Sequence, residues 1–70
     1  MLSGYKMCRL KTDMTAQEAA TKLGVSITTL LSWENYKTSP DGYYVKAMSE
    51  LYGVTADELV ANERDLDINA

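Results

Sequence analysis

Few side chains in this sequence can do bond chemistry. Histidine is absent and Cys8 is the single cysteine, which removes the usual zinc ligand sets, Cys/His nucleophile pairs and any intramolecular disulfide. Cys8 shares an apolar face with Leu2 and Tyr5 and has no histidine or cluster of bases beside it to lower its pKa, so it reads as a small core residue rather than a reactive thiol. An enzyme is therefore set aside, and no metal, cofactor or small-molecule substrate is expected. What remains is the chemistry of binding. Ile27, Thr28, Leu31 and Ser32 fall on one side of a helix whose other side carries Leu30 and Trp33, offering hydroxyls and aliphatic surface outward. Arginine, asparagine and glutamine are missing from those four positions. Lys37 follows shortly after as the base nearest to them.

These residues are positioned by the stretch from Thr15 to Glu34, TAQEAATKLGVSITTLLSWE. A first apolar stripe stops at Leu23, Gly24-Val25-Ser26 punctuates it, and a second stripe starts again at Leu30, which predicts two short helices joined by a tight turn. Thr15 caps the first, with Glu18 three residues on completing a capping box, and Ser26 caps the second. Gly24 supplies the positive φ that ends the first helix. Ala20 is small where two steeply crossing helices bring their backbones together.

With Met14-Thr15, Ala20, Leu23-Gly24-Val25-Ser26, Leu30, Trp33-Glu34, Lys37 and Pro40, followed by Gly53-Val54 and Asp57-Glu58-Leu59, the chain resembles the Cro/repressor-type, XRE-like helix-turn-helix proteins of phages and bacteria over nearly its whole length. The joint spacing, rather than any one residue, carries the resemblance. It implies an all-α, lambda-repressor-like DNA-binding domain of five short helices with the helix-turn-helix at Thr15–Glu34. It also implies that Arg9 pairs across the core with Glu34 and fastens the first helix to the end of the third.

The rest of the chain follows that plan. Ser3 caps a first helix running to about Thr12, and Met14 stands just before the Thr15 cap in position for a hydrophobic staple. The second helix is expected over Ala16–Leu23 and the third from about Ile27 to Asn35. The second turns Ala19, Ala20 and Leu23 inward. Its N-terminus suits a phosphate, and Gln17, one place later than the glutamine usual in such proteins, reads equally as a phosphate contact or as a solvated side chain. In the loop from Asn35 to Ser39, Tyr36 replaces a usual glycine at a turn that often needs positive φ, and Asn35 is expected to take over part of that turn. Ser39 is expected to cap the fourth helix with Pro40 at its first position. Val45, Met48 and Tyr52 form that helix's inward stripe, and at least one of Tyr43 and Tyr44 is expected at the core edge. Gly53-Val54 ends the fourth helix, and Thr55 to Glu58 is a second capping box opening a fifth, which contributes Leu59 and Val60.

One helix-turn-helix domain over residues 1–61 and an acidic, flexible tail over 62–70 account for the length. The tail's Leu66 and Ile68 alternate with aspartates, which suits disorder better than an arm. Net charge is −3, the wrong sign for neutralising phosphates, but it is unevenly spread. Up to Val54, Lys6, Arg9, Lys11, Lys22, Lys37 and Lys46 stand against Asp13, Glu18, Glu34, Asp41 and Glu50, a net +1; the last sixteen residues hold Arg64 against five acids, a net −4. No leader or membrane segment is read, and the chain is expected to be cytoplasmic.

The resemblance makes the third helix the one that enters the major groove of a double-stranded operator, as a homodimer on two half-sites. Thr28 and Ser32 would bond base edges while Ile27 or Leu31 meets thymine methyls. Gln17, Ser26, Asn35, Lys37 and Thr38 would contact the backbone, with loop amides helping. The rival reading is an interaction module that uses the exposed Ile27/Leu31 pair to engage another phage or bacterial regulator, as an antirepressor or co-repressor would.

Overall fold

The computed structural model describes residues 3–60. Four helices are α1 (Gly4–Lys11), α2 (Ala16–Leu23), α3 (Ile27–Glu34) and α4 (Gly42–Tyr52), and α5 covers residues 56–60 at the end of the described chain. No strand occurs among the described residues, and the fold is all-α. Leu2 and the acidic tail at 62–70 lie outside the described residues.

Side-chain caps set the helix starts. Ser3 Oγ accepts from the Lys6 amide at 3.1 Å, and Ser26 Oγ from the Thr29 amide at 3.2 Å. At α2 the box is reciprocal: Thr15 Oγ1 accepts from the Glu18 amide at 3.1 Å while Glu18 Oε1 accepts from the Thr15 amide at 3.0 Å. Thr55 Oγ1 accepts from the Glu58 amide at 3.2 Å and opens α5. The start of α4 corrects the expectation of a Ser39 cap with Pro40 at the first position. Asp41 is the cap, its Oδ1 accepting from the Tyr44 amide at 3.2 Å, and Gly42 is the first helical residue. The reason is competition between acceptors. The Asp41 carboxylate makes a charge-assisted bond at the positive end of the helix, where the Ser39 hydroxyl would make a neutral one, and the start lies two residues along.

Each of α1 to α4 is followed by a residue with left-handed backbone: Asp13 (φ +57°), Gly24 (+77°), Tyr36 (+59°) and Gly53 (+67°). The next amide reaches back five residues in every case. Met14 N donates to Arg9 O at 3.5 Å, Val25 N to Ala20 O at 3.0 Å, Lys37 N to Ser32 O at 2.9 Å and Val54 N to Ser49 O at 3.0 Å. Asn35 does not take over the turn after α3. It keeps φ −101°, and Tyr36 itself adopts the left-handed conformation.

All five helices feed one core: Tyr5 and Cys8 from α1, Ala19 and Ala20 from α2, Leu30 and Trp33 from α3, Met48 and Tyr52 from α4, Leu59 from α5. Burial removes water from the Cys8 thiol and pushes its pKa up, which keeps it protonated and inert. The fully buried alanines let α2 lie close to α3, and Met14, Leu23 and Val25 pack at the edge. Of the tyrosine pair, Tyr44 is half-buried with its ring centroid 5.2 Å from that of Trp33, and Tyr43 is exposed. Gly4 marks a contact with no signature in the sequence. A Cβ there would overlap the Leu59 carbonyl oxygen and stand 2.7 Å from that of Glu58, so α1 and α5 touch backbone to backbone.

Candidate nucleic-acid interface

The angle at which α3 is presented is set from behind. Arg9 Nε donates to Glu34 Oε2 at 2.7 Å and the second terminal nitrogen donates to Oε1 at 3.0 Å, a two-pronged bond between side chains only 8% and 2% exposed. The remaining terminal nitrogen donates to the Met14 carbonyl at 2.9 Å. One guanidinium thus joins α1, the last residue of α3 and the α1–α2 link. Planar two-pronged geometry of this kind is what arginine provides and lysine does not. The bond to Glu34 raises the Arg9 pKa further, so the guanidinium stays charged throughout the accessible pH range.

The opposite side of α3 is open. Ile27 is 37% and Leu31 38% exposed, Thr28 is exposed and Ser32 half-buried. Ile27 and Leu31 are not among the buried core residues, whereas Leu30 and Trp33 on the inner side are buried. Ser26 is occupied with its own helix: besides capping α3, its hydroxyl donates to Thr29 Oγ1 at 3.0 Å. That leaves Thr28 and Ser32 as the hydroxyls on the outward face.

The flanking positions are less uniformly suited to phosphate. At α2, the amides of Ala16 and Gln17 are the first of the helix and have no intrahelical acceptor. Gln17 is exposed, with its Nε2 donating to Thr21 Oγ1 at 3.2 Å along the helix. The capping box also places the Glu18 carboxylate at this end, and its bonds from the Thr15 amide and hydroxyl lower its pKa, so a negative charge stands beside the would-be phosphate position. Beyond α3, Asn35, Lys37 and Thr38 are exposed. The expectation that this loop offers its amides is corrected in part, because Lys37 N and Thr38 N both donate to Ser32 O, at 2.9 and 3.4 Å. The closing turn of α3 consumes them, and the side chains of Asn35, Lys37 and Thr38 are what the loop has left.

A family model described as helix-turn-helix matches residues 6–59, from within α1 into α5. The chain belongs to the XRE-type helix-turn-helix family. Comparison with curated proteins and with solved structures finds no match. As a member of this family it is a DNA-binding helix-turn-helix regulator, in a family that is generally non-enzymatic. Among the described residues no group of three or more histidine, cysteine or acidic side chains could hold a metal ion, and no helix is long and apolar enough to cross a membrane.

Within this helix-turn-helix domain, sequence reasoning missed two groups that shape the interface. One is the Ser32 carbonyl, which takes two loop amides away from any ligand. The other is the Met14 carbonyl, third partner of the buried guanidinium. Backbone carbonyls carry no residue-type signal; the turn at residue 36, where such proteins usually carry glycine, is the one pointer to the first.

Proposed function

We propose that this protein regulates transcription by reading a double-stranded operator with α3, in the manner of a phage or bacterial repressor acting in the cytoplasm, and that it does so as a symmetric homodimer on two half-sites. One observation carries the reading. The helix that would enter the groove is anchored on its inner side by the buried Arg9–Glu34 pair, while Ile27, Thr28, Leu31 and Ser32 keep accessible surface on the opposite side. Thr28 and Ser32 would bond base edges. Lys37, Asn35 and Thr38 beside α3, with Gln17 at the start of α2, would hold the sugar-phosphate backbone, and Ser26 would join them only by turning its hydroxyl proton away from Thr29.

A second reading rests on the same face. The Ile27/Leu31 pair, the carboxylate at the start of α2 and the net charge of −3 suit an interaction module that docks onto another regulator, as an antirepressor or co-repressor would. The two are separated by footprinting on the control region of the protein's own locus beside a pull-down with the neighbouring regulator. For the DNA reading, Lys37→Ala should weaken binding to all sequences alike and flatten the salt dependence by about one unit. Thr28→Ala should relax preference at one operator position. No protected site, together with a complex that Leu31→Asp abolishes, would replace the DNA reading with the second.

A further inference from the structure

The outward face of α3 lacks the groups that normally distinguish one base pair from another. Residues 27–34, ITTLLSWE, contain no arginine, lysine, asparagine or glutamine, and the one charged side chain, Glu34, is buried in its pair with Arg9. Thr28 and Ser32 present hydroxyls, which donate and accept and so bond base edges of either kind. Discrimination by hydrogen bonding is therefore weak on this face. What it does present is aliphatic surface, at the partly exposed Ile27 and Leu31, four residues apart. One helical turn advances about 5.4 Å, against a spacing of about 3.4 Å between successive bases on a strand. Two side chains so placed reach groups one or two base steps apart. In the major groove the apolar group on a base is the C5-methyl of thymine, which cytosine and the purines lack.

We infer that α3 selects its operator chiefly by the C5-methyl groups of pyrimidines, so that each half-site is thymine-rich at the steps facing Ile27 and Leu31. This rests on the DNA reading above. Ile27 and Leu31 determine most of the specificity, and Thr28 and Ser32 set the register and add a weaker preference of their own.

The test changes the DNA as well as the protein, so it does not depend on a variant that folds. Duplexes are selected from a random-sequence pool with the full chain, and the recovered site is resynthesised with deoxyuridine replacing thymine one position at a time. Affinity is read by fluorescence anisotropy at one fixed salt concentration. Loss of a methyl contact should weaken binding about fourfold at one or two nearby positions. At those positions a 5-methylcytosine·guanine pair should bind better than the unmethylated pair. Leu31→Ala or Ile27→Ala should abolish the difference between thymine and deoxyuridine at one of them. If a sequence is enriched and bound selectively but every deoxyuridine duplex binds as well as its parent, the methyl inference is overturned and the DNA reading stands. If no sequence is enriched, both fall together.

Discussion

The helix ends of this molecule divide into two pairs. After α2 and α4 the left-handed residue is glycine, and a Cβ built on Gly24 or Gly53 would meet nothing within 4 Å. After α1 and α3 the same backbone conformation is held by Asp13 and Tyr36, which carry the Cβ that makes it unfavourable. The difference lies in what else grips the end. Arg9 spans the ends of α1 and α3, bonding Glu34 at one and Met14 O at the other, and the Tyr36 ring lies edge-on to Tyr5 with centroids 6.2 Å apart. Where an end stands alone, local conformational preference decides the residue. Where two ends meet, tertiary contact overrides it.

Breaking the grip itself should have the largest effect. Arg9→Ala leaves the Glu34 carboxylate buried without its partner and removes the donor to Met14 O, and thermal or denaturant unfolding should show a loss of about 3 to 5 kcal/mol. The double variant Arg9→Met/Glu34→Leu should recover much of that, because two apolar chains need no counter-charge. It should not recover all of it, since the Met14 carbonyl still lacks its donor. A single variant that melts within a degree or two of the parent would mean that the ends of α1 and α3 are held by something other than this pair.

Tyr52 sharpens the comparison from the side of α4. Its hydroxyl is buried with no hydrogen-bond partner among the described residues, and burial, reinforced by the nearby Glu34 charge, pushes its pKa from 10.0 to about 12. The fold thus prefers the neutral phenol. Its contribution is intact below the unfolded value near 10 and is lost as pH rises towards about 12, a decline of about 2 to 3 kcal/mol across that window. Tyr52→Phe should remove this alkaline limb and leave stability at pH 7 unchanged or raised by about 1 kcal/mol, since the buried hydroxyl makes no bond to lose. Parallel curves for the two proteins from pH 9 to 12 would show that folding leaves the Tyr52 pKa unshifted.

The same division explains what could be read from the sequence. Ser3, Thr15, Ser26, Gly24 and Gly53 act within a few residues of themselves, and their roles at helix starts and ends follow from type and spacing alone. Ser39 is misleading because Ser-Pro resembles a cap and first turn, whereas the cap is the charged Asp41 two residues on. The turn at residue 36 is legible from the glycine such proteins usually carry, but not that tyrosine itself adopts it, because the Tyr5 ring it packs on is distant in the chain; nothing in the type of the exposed Asp13 marks its left-handed backbone. Gly4 is opaque because its need is the nearness of the α5 backbone. Arg9 and Glu34 are 25 positions apart, and only family resemblance joined them in advance. At the interface, the four outward residues of α3 follow from helical periodicity, but hydroxyls and aliphatic chains do not name a base.

Exchanging residues across the two pairs of ends gives the smallest and most discriminating effects. Gly24→Ala puts a Cβ into left-handed backbone with no compensating contact and should cost about 1 to 2 kcal/mol. Tyr36→Gly removes that strain but also a half-buried ring packed on the core, so it should be destabilising by about 1 kcal/mol net, with burial outweighing relief. Asp13→Gly is the inverse case with little to lose. Asp13 is exposed, and an aspartate tolerates the left-handed region better than most residues, so the strain relieved is modest. Glycine also loses more conformational freedom on folding, which offsets part of it. A gain of at most about 1 kcal/mol in urea unfolding is expected. If Asp13→Gly instead destabilised as much as Tyr36→Gly, the aspartate side chain would be gripping the end of α1 in its own right, and the rule that tertiary contact replaces glycine would extend from a half-buried ring to an exposed carboxylate.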